Sequence, residues 1–441
     1  MNGVESGWRS ACKNSPINRA RLFPLRQRKH RKLTLRSELG SISLKVDYGL
    51  DRQTGQWLSP VQQAWGLGPH QKLTPGFAEK LCFTVTATGC YEEAAQVVSK
   101  WSERMDDSTL HSLVQRMGGQ AEEQREERSK RPPAEREPQR PASALAVLMV
   151  DGWQVRHRGE GWGKQRTSKP RVEWHEMKTG VFYLQEQAAQ TEGGRGLIED
   201  KVVVSMVGEP LELGQRLHWE ALRGGLGRAR RQLFLGDGAP WVWNLKQDRW
   251  DKAVGLLDFF HASQHLWEVG RTLEGEEQSR LVPWVEERLH QLRHGQEKKV
   301  LSELAGLKKK RGKAGEVLTR EQNYFATHAS RINYQTIARR GWPIGSGTVE
   351  SACRQKQCRF KRPGQFWTPK GLRNLFALDE ARRNHHWNQL FRKLERPVII
   401  RAIRDHRGQP VRMMIRPHQQ IARGLAGGIR RIWRVRRGLR E

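Results

Sequence analysis

Three acids in this 441-residue chain stand where a carboxylate is costly unless it binds something. In "SALAVLMVDGW" an apolar run from Ala144 to Val150 leads straight into Asp151. In "RQLFLGDGAPWVWN" Leu233, Phe234 and Leu235 lead to Asp237, held between Gly236 and Gly238. In "GWPIGSGTVESACRQKQCRFKR" a Gly-Ser-Gly turn precedes a helix whose first turn holds Glu350. Continuous apolar runs of this length read as strands buried on both faces, which puts Asp151 and Asp237 at strand ends. Taking a carboxylate out of water costs free energy, and neighbouring carboxylates repel each other. A divalent cation removes both objections. Mg2+ takes a few carboxylate oxygens and keeps the rest of its shell for water and phosphate. Three acids from separate elements can hold two such ions roughly 3.5–4 Å apart, one activating an attacking oxygen and one stabilising a leaving oxygen. Each acid also has a plainer reading, since Gly-Asp-Gly makes a turn and the helix dipole alone favours an acid in a first turn.

The segments around these acids alternate strand and helix patterns and imply an α/β fold. "RVEWHEMK" and "GVFYL" read as strands joined at Thr179-Gly180 in a hairpin, "KVVVSMV" as another strand, and residues 211–230 as helical. Between Asp237 and Glu350, Leu281, Trp284, Val285, Leu289 and Leu292 have helical spacing, as do Val300, Leu301, Leu304 and Leu307. "TREQ" at Thr319–Gln322 is a capping-box signal for another helix. The glycines flanking Asp237 are expected to leave room for a metal and a phosphate, and Trp241 and Trp243 to pack the following segment against the sheet.

The charge balance points to the partner. Lysine and arginine total 79 against 47 acids, a formal net charge of +32. Such a charge opposes compaction unless a polyanion neutralises it, so nucleic acid is the first partner to consider. No stretch approaches the roughly 20 apolar residues that cross a bilayer, so no membrane association is expected. No secretory signal is visible at the N-terminus. Five cysteines in a chain of this length suggest reduced thiols in the cytoplasm. The 17 tryptophans suit a large core, although a basic protein can also stack bases on exposed indoles.

Residues 1–40 read as a basic arm, with "RQRKHRK" at Arg26–Lys32, followed by a period-two stretch at Ile42, Leu44 and Val46. Residues 76–119 look helical. "CYEEAAQVVSKW" and "STLHSLVQRMGG" form amphipathic helices that fit a helix-turn-helix over 91–118. The outer face of its second helix carries Thr109, His111, Ser112, Gln115 and Arg116, side chains that can reach base edges in a major groove. Residues 121–142 hold charge and proline with almost no apolar content, a linker or exposed helix end. Beside Glu350, the basic residues Arg354, Lys356, Arg359 and Lys361 suit a phosphate backbone lying over the helix. Residues 396–441 form an arginine-rich tail.

"LFLGDGAPWVWN", "LLDFFHASQHLWEVG" and "GWPIGSGTVESACRQKQCRFKRPGQFW" closely resemble bacterial insertion-sequence transposases of the DDE class, the nearest match being the Kra-type family, with Mutator-like transposases more distant. The resemblance runs from about residue 45 to 390 and is densest around the three acids. It implies an RNase H-like catalytic domain over 143–266 and 341–395, interrupted by a helical insertion at 267–340 and preceded by a DNA-binding domain at 41–120. Asp151, Asp237 and Glu350 would then be the catalytic, metal-binding triad, holding two Mg2+ ions for which Mn2+ could substitute. Asp258 and His261 match the Asp-x-x-His motif of the Mutator-like relatives and would brace the active site or orient DNA. Lys178, in "Glu176-x-Lys178-x-Gly180", matches the family's second-strand hairpin and could touch DNA. His261 and His265 have zinc-ligand spacing on a helix, but no third ligand suggests itself. The implied reaction is cleavage at insertion-sequence ends and strand transfer of the 3′-OH into target DNA. The partners would be double-stranded DNA and further copies of the chain in a synaptic complex, near the bacterial nucleoid and without a nucleotide cofactor. Two other readings stay open here: an RNase H-like nuclease or resolvase without strand transfer, and an inactive transposase-derived DNA-binding regulator.

Overall fold

The computed structural model describes residues 25–51, 55–64, 67, 71–133, 145–193, 196–307 and 311–394. The arginine-rich tail, most of the expected arm and residues 134–142 of the expected linker lie outside these residues. The chain divides into two compact units, one drawn from Met1–Arg36 and Ser41–Pro75, the other from Ser37–Gly40 and Gly76–Leu394.

The first unit holds a three-stranded sheet of β1 (Leu25–Ser37), β2 (Gly40–Asp51) and β3 (Trp57–Leu58), with a short helix α1 (Pro60–Ala64). The basic run expected as an arm is the exposed stretch of β1. The period-two pattern around Val46 forms β2, and Val46 packs with Leu33, Leu35 and Leu67.

The second unit opens with α2 (Pro75–Ala87), α3 (Tyr91–Val98) and α4 (Asp107–Lys130). Its five-stranded mixed sheet uses β4 (Leu145–Arg158) and β5 (Val172–Leu184), then β8 (Val202–Val207), β9 (Arg231–Gly236) and β10 (Val254–Leu257). A separate two-stranded ribbon of β6 (Ala188–Gln190) and β7 (Gly196–Ile198) lies between β5 and β8 in sequence. The sheet order is β10-β9-β4-β5-β8. β10, β9 and β4 run parallel, whereas β5 is antiparallel to both β4 and β8. Leu145–Val150 are buried throughout, as expected of a central strand covered on both faces.

The covering helices are α5 (Pro210–Arg223), α6 (Pro240–Arg249), α12 (Gly347–Phe360) and α13 (Pro369–Arg383). Thr179 and Gly180 show which face each takes. The Thr179 hydroxyl meets Trp153 Nε1 at 3.2 Å and Ser205 at 3.0 Å, on the side of α12. A Cβ at Gly180 would lie 2.6 Å from Leu217 of α5, on the other side. The expected hairpin at Thr179-Gly180 is therefore absent. β5 runs through both residues, and the turn joins β4 to β5 instead. Gly180 serves the approach of α5, which a sequence pattern cannot separate from turn chemistry.

Among the described residues, five α-helices stand between β10 and α12: α7 (Phe259–Glu274), α8 (Gln278–Arg293), α9 (Glu297–Ala305), α10 (Gly312–His328) and α11 (Tyr334–Arg339). Thr319 does not start a helix. It lies inside α10, its hydroxyl donating to Gly315 O at 2.8 Å. The chain described closes on α14 (Trp387–Leu394).

Residues 121–130, read as the start of a linker or an exposed helix end, continue α4 and are partly buried. The charges of Glu122, Arg125 and Arg128 are satisfied within the fold. Arg125 meets Glu122 at 2.7 Å and Glu380 at 3.2 Å, and Arg128 pairs with both oxygens of Glu220. At Gly118 a Cβ would sit 2.4 Å from Asn374 O, so only glycine lets α4 lie this close to α13. No helix among the described residues is long and apolar enough to cross a membrane.

Candidate active site

The register that pairs Met149 with Leu235 sets Asp151 level with Asp237, one residue past the end of β9. Neighbouring strands lie about 4.8 Å apart, so the two carboxylates share one sheet edge. β4 itself does not end at Asp151. It runs on to Arg158, paired with β5 alone beyond its last partner in β9. Asp151 accepts the Gly152 N–H at 2.7 Å and bonds the Cys353 thiol. Burial raises its pKa above the ordinary carboxylate value, Cys353 and Gly152 oppose that rise, and the nearby Asp237 charge reinforces it. Asp237 accepts the Ala239 N–H at 2.9 Å, and its carbonyl accepts Trp243 Nε1 at 2.9 Å. Trp243 is buried as expected, while Trp241 lies beside Lys178.

The glycines flanking Asp237 do not open a path for a ligand. A Cβ at Gly236 would meet Val242 at 2.3 Å, and one at Gly238 would meet the Tyr324 ring at 2.1 Å. Protein side chains fill the space that the missing Cβ atoms leave.

Asp258 ties three elements together. Its N–H donates to Gly236 O at 2.9 Å, at the end of β9. One carboxylate oxygen accepts both the backbone N–H and Nδ1–H of His261 at 2.8 Å, capping α7. The other accepts the Ser346 N–H at 2.5 Å, at the start of α12. Ser346 in turn donates its hydroxyl to Glu350 at 2.9 Å. Glu350 is thus placed by a buried relay rather than by the helix dipole alone, and Arg354 stands 3.9 Å from its second oxygen.

The donor atoms of Asp258, His261 and Glu350 all lie within 4.8 Å of one another, a spacing that could hold a metal ion. Asp151 and Asp237 fall outside that group. The structure therefore joins Asp151 to Asp237 and Glu350 to Asp258 and His261, and His261 adjoins both sets, because the charges of Asp237 and Asp151 also act on it. An ionised carboxylate only accepts, so Nδ1 is the donor to Asp258 and Nε2 is left for the site. His265 is turned away, bonded to Glu321 at 2.5 Å and stacked on Tyr324, and does not join His261 at a metal position.

The hydrogen bond that His261 donates to Asp258 raises the His261 pKa above the usual imidazole value, with burial opposing it. Burial acts upward on Asp258, but the bonds from His261 and Ser346 outweigh it and the net shift is down. The pair's contribution to stability is complete between the two unfolded values. It is lost as pH rises through the raised His261 pKa, and again as pH falls through the lowered Asp258 pKa. Asp258→Asn should return His261 to the ordinary imidazole range. Imidazole NMR titration of the wild type and the variant measures this, and an unchanged titration would show that Asp258 does not control the ring.

The residues expected to touch DNA divide sharply. Thr109, His111, Ser112 and Arg116 are exposed on α4, with His111 edge-on to Tyr91. Gln115 instead accepts the Asn374 side-chain N–H at 2.9 Å. α4 spans 24 residues and lies along α13, unlike the short second helix of a helix-turn-helix. On α12, Arg354 is exposed and Lys361 stands 5.6 Å from the Trp174 ring. Lys356 is fully buried, 3.3 Å from Asp379, and Arg359 is buried with its guanidinium donating to Gly89 O at 2.9 Å. Lys178 is also buried, pairing with Glu176 at 2.8 Å and donating to Gly208 O. None of these three reaches the surface, because their faces pack against neighbouring elements.

Three side chains near the acids escaped sequence reasoning. Cys353 could have been found, since it follows Glu350 by one helical turn on α12. Ser346 was visible only as a cap. Tyr324 carries no local signal. It reaches the Asp237 turn from α10, and burial first, then Asp237 and Asp258, raises its pKa.

No family model matches the chain, and no curated protein sequence matches it. Among solved structures, the Drosophila P element transposase strand transfer complex is similar over 80% of this chain and 86% of that one, at 10% sequence identity and a TM-score of 0.25.

Proposed function

We propose that this chain is a metal-dependent DNA transposase of the DDE class with an RNase H-like core. The observation that carries the reading is that Asp151 and Asp237 stand level at one end of the mixed sheet while His261, grouped with Asp258 and Glu350, feels both of their charges. The resemblance to Kra-type insertion-sequence transposases and the net charge of +32 support it.

The residues present suit a divalent cation. Asp151 is half-buried beside a like charge, which is costly without a counter-ion. Glu350 and the His261 ring sit at donor spacing. Asp258 has both oxygens committed to hydrogen bonds, so its role is to orient His261 and the start of α12. Asp151, Asp237, Glu350 and His261 would therefore hold the ion or ions, with Asp258 as a positioning residue. A bound divalent cation supplies charge neutralisation at phosphate oxygens and lowers the pKa of water. The protein's own part is rigidity: backbone N–H groups hold Asp151 and Asp237, and the Ser346 hydroxyl holds Glu350. The expected reaction is hydrolysis of a phosphodiester at an element end, releasing a 3′-OH. That hydroxyl then attacks a target phosphodiester, with the broken bond's electrons leaving on its own 3′ oxygen. Neither step uses a protein–DNA covalent bond or ATP.

An imidazole among the donors favours Mn2+ over Mg2+, because nitrogen ligands suit the softer ion. With DNA carrying the sequences that flank the gene, cleavage is expected in Mg2+, faster in Mn2+, and absent in EDTA. Cleavage of equal rate in EDTA would overturn the proposal. Equal rates in the two metals would remove His261 from the donor set.

A further inference from the structure

Beyond the last pairings with β9 and β8, strands β4 and β5 project from the sheet as a two-stranded arm. The segment after α12 lies along its free edge, Arg158 N–H donating to Trp367 O at 2.9 Å and Trp367 N–H to Arg156 O at 3.0 Å. On this arm cations and aromatic rings alternate. Lys361 lies 5.6 Å from the Trp174 ring, and Arg156 lies 5.8 Å from Trp174 and 5.0 Å from Phe366. Phe366 then meets Trp162 at 4.8 Å, and Arg158 lies 5.2 Å from Trp162. Trp174 is 56% exposed and Trp162 39%, so two of the largest apolar side chains in the chain face solvent. From Arg156 to Trp174 there are six lysines and arginines against two acids. A recess of about 590 Å³ opens at the tip, lined by Trp162, Lys164, Gln165 and Arg171.

We infer that this arm is a docking surface for an unpaired stretch of DNA strand next to the catalytic acids, a proposal that rests on the reading that the chain acts on DNA. Exposed indoles flanked by guanidinium groups offer what a single strand needs: faces for bases and charges for phosphates. A purely structural ladder would bury its rings, and a duplex would leave them unused, because its bases are already stacked. Arg156 donates to the Lys361 and Arg362 carbonyls, which fixes the segment after α12 against the arm and holds its guanidinium between the Trp174 and Phe366 rings. The placement fits as well. Trp174 is the cross-strand partner of Arg156, five residues beyond Asp151 on β4, or roughly 17 Å at strand rise.

The test uses the full chain and a fluorescein-labelled single strand of mixed sequence, alone or annealed into a duplex, with binding read by anisotropy. Trp174→Ala and Trp162→Ala should each weaken single-strand binding about 10-fold, leave duplex binding at the wild-type level, and leave the thermal midpoint unchanged. Trp174→Phe, which keeps a stacking face, should restore most of the affinity. Unchanged single-strand affinity in the double alanine variant would overturn the proposal, and so would an equal loss for the duplex. Because cleavage is not read here, this result is independent of the acid site.

Discussion

Asp151→Asn, Asp237→Asn and Glu350→Gln should each lower metal-dependent DNA cleavage by more than about 100-fold while DNA affinity stays at the wild-type level. The bound follows from position. Outer partners of metal ligands cost about 10–100-fold when removed, and a direct ligand should exceed that. The amide variants preserve shape. Asn at 151 can still accept the Gly152 N–H, and Gln at 350 can still accept the Ser346 hydroxyl. Loss of activity would then report loss of negative charge and not of folding. Asp258→Asn serves as the contrast. It should reduce cleavage within the 10–100-fold range and move the His261 titration with it, as suits a residue acting through another. Single-turnover cleavage of a labelled duplex measures all four variants. Wild-type cleavage in any of the first three would remove that residue from the site.

The second large effect concerns stability. Asp379→Asn should destabilise the second unit by about 3–5 kcal/mol, because it leaves the fully buried Lys356 without its counter-charge. In a unit of this size that is roughly 10 °C in thermal midpoint. Lys356→Met should cost less, since Asp379 keeps Arg382 at 3.2 Å and Arg383 at 2.7 Å and the methionine fills a similar volume. Burial acts to raise the Asp379 pKa, but Lys356 and Arg383 outweigh it and the net shift is downward. The group therefore stabilises the fold above its unfolded value near 3.9, and that contribution is lost as pH falls through the lowered folded value. Calorimetry and DNA titration together test this arrangement. A Lys356→Met variant with an unchanged midpoint and weakened DNA binding would mean that Lys356 serves phosphate after all.

The contrast between Lys356 and Arg354 shows where sequence reading stops. Both stand in "ESACRQKQCRFKR", a segment rich enough in bases to suggest a phosphate surface. Which bases turn inward depends on Asp379 on α13, a partner 23 residues away that no local pattern marks. The acids were more legible. An unbroken apolar run ending in Asp marks both a buried strand and an unusual carboxylate, so Leu145–Val150 and Leu233–Leu235 locate Asp151 and Asp237 together. Asp258 and His261 stand together because a cap and the residue three positions on are neighbours in any helix. Tertiary use of glycine was not legible. Gly180, Gly236 and Gly238 resemble turn or ligand-access residues in sequence, yet they make room for Leu217, Val242 and Tyr324. The extent of α4 was hidden for a related reason. Its charged second half is held by Glu220 and Glu380, acids from distant elements, and not by an apolar stripe.

Under the proposed function, the acids at this sheet edge transfer phosphodiester bonds between DNA strands. The most direct measurement supplies DNA ends from beside the gene, already cut to expose a 3′-OH, together with a supercoiled target and Mn2+. A covalent joint between end and target is expected, and it should vanish when the terminal nucleotide lacks its 3′ hydroxyl. Ends that are only hydrolysed, or a joint that forms without the 3′-OH, would contradict it.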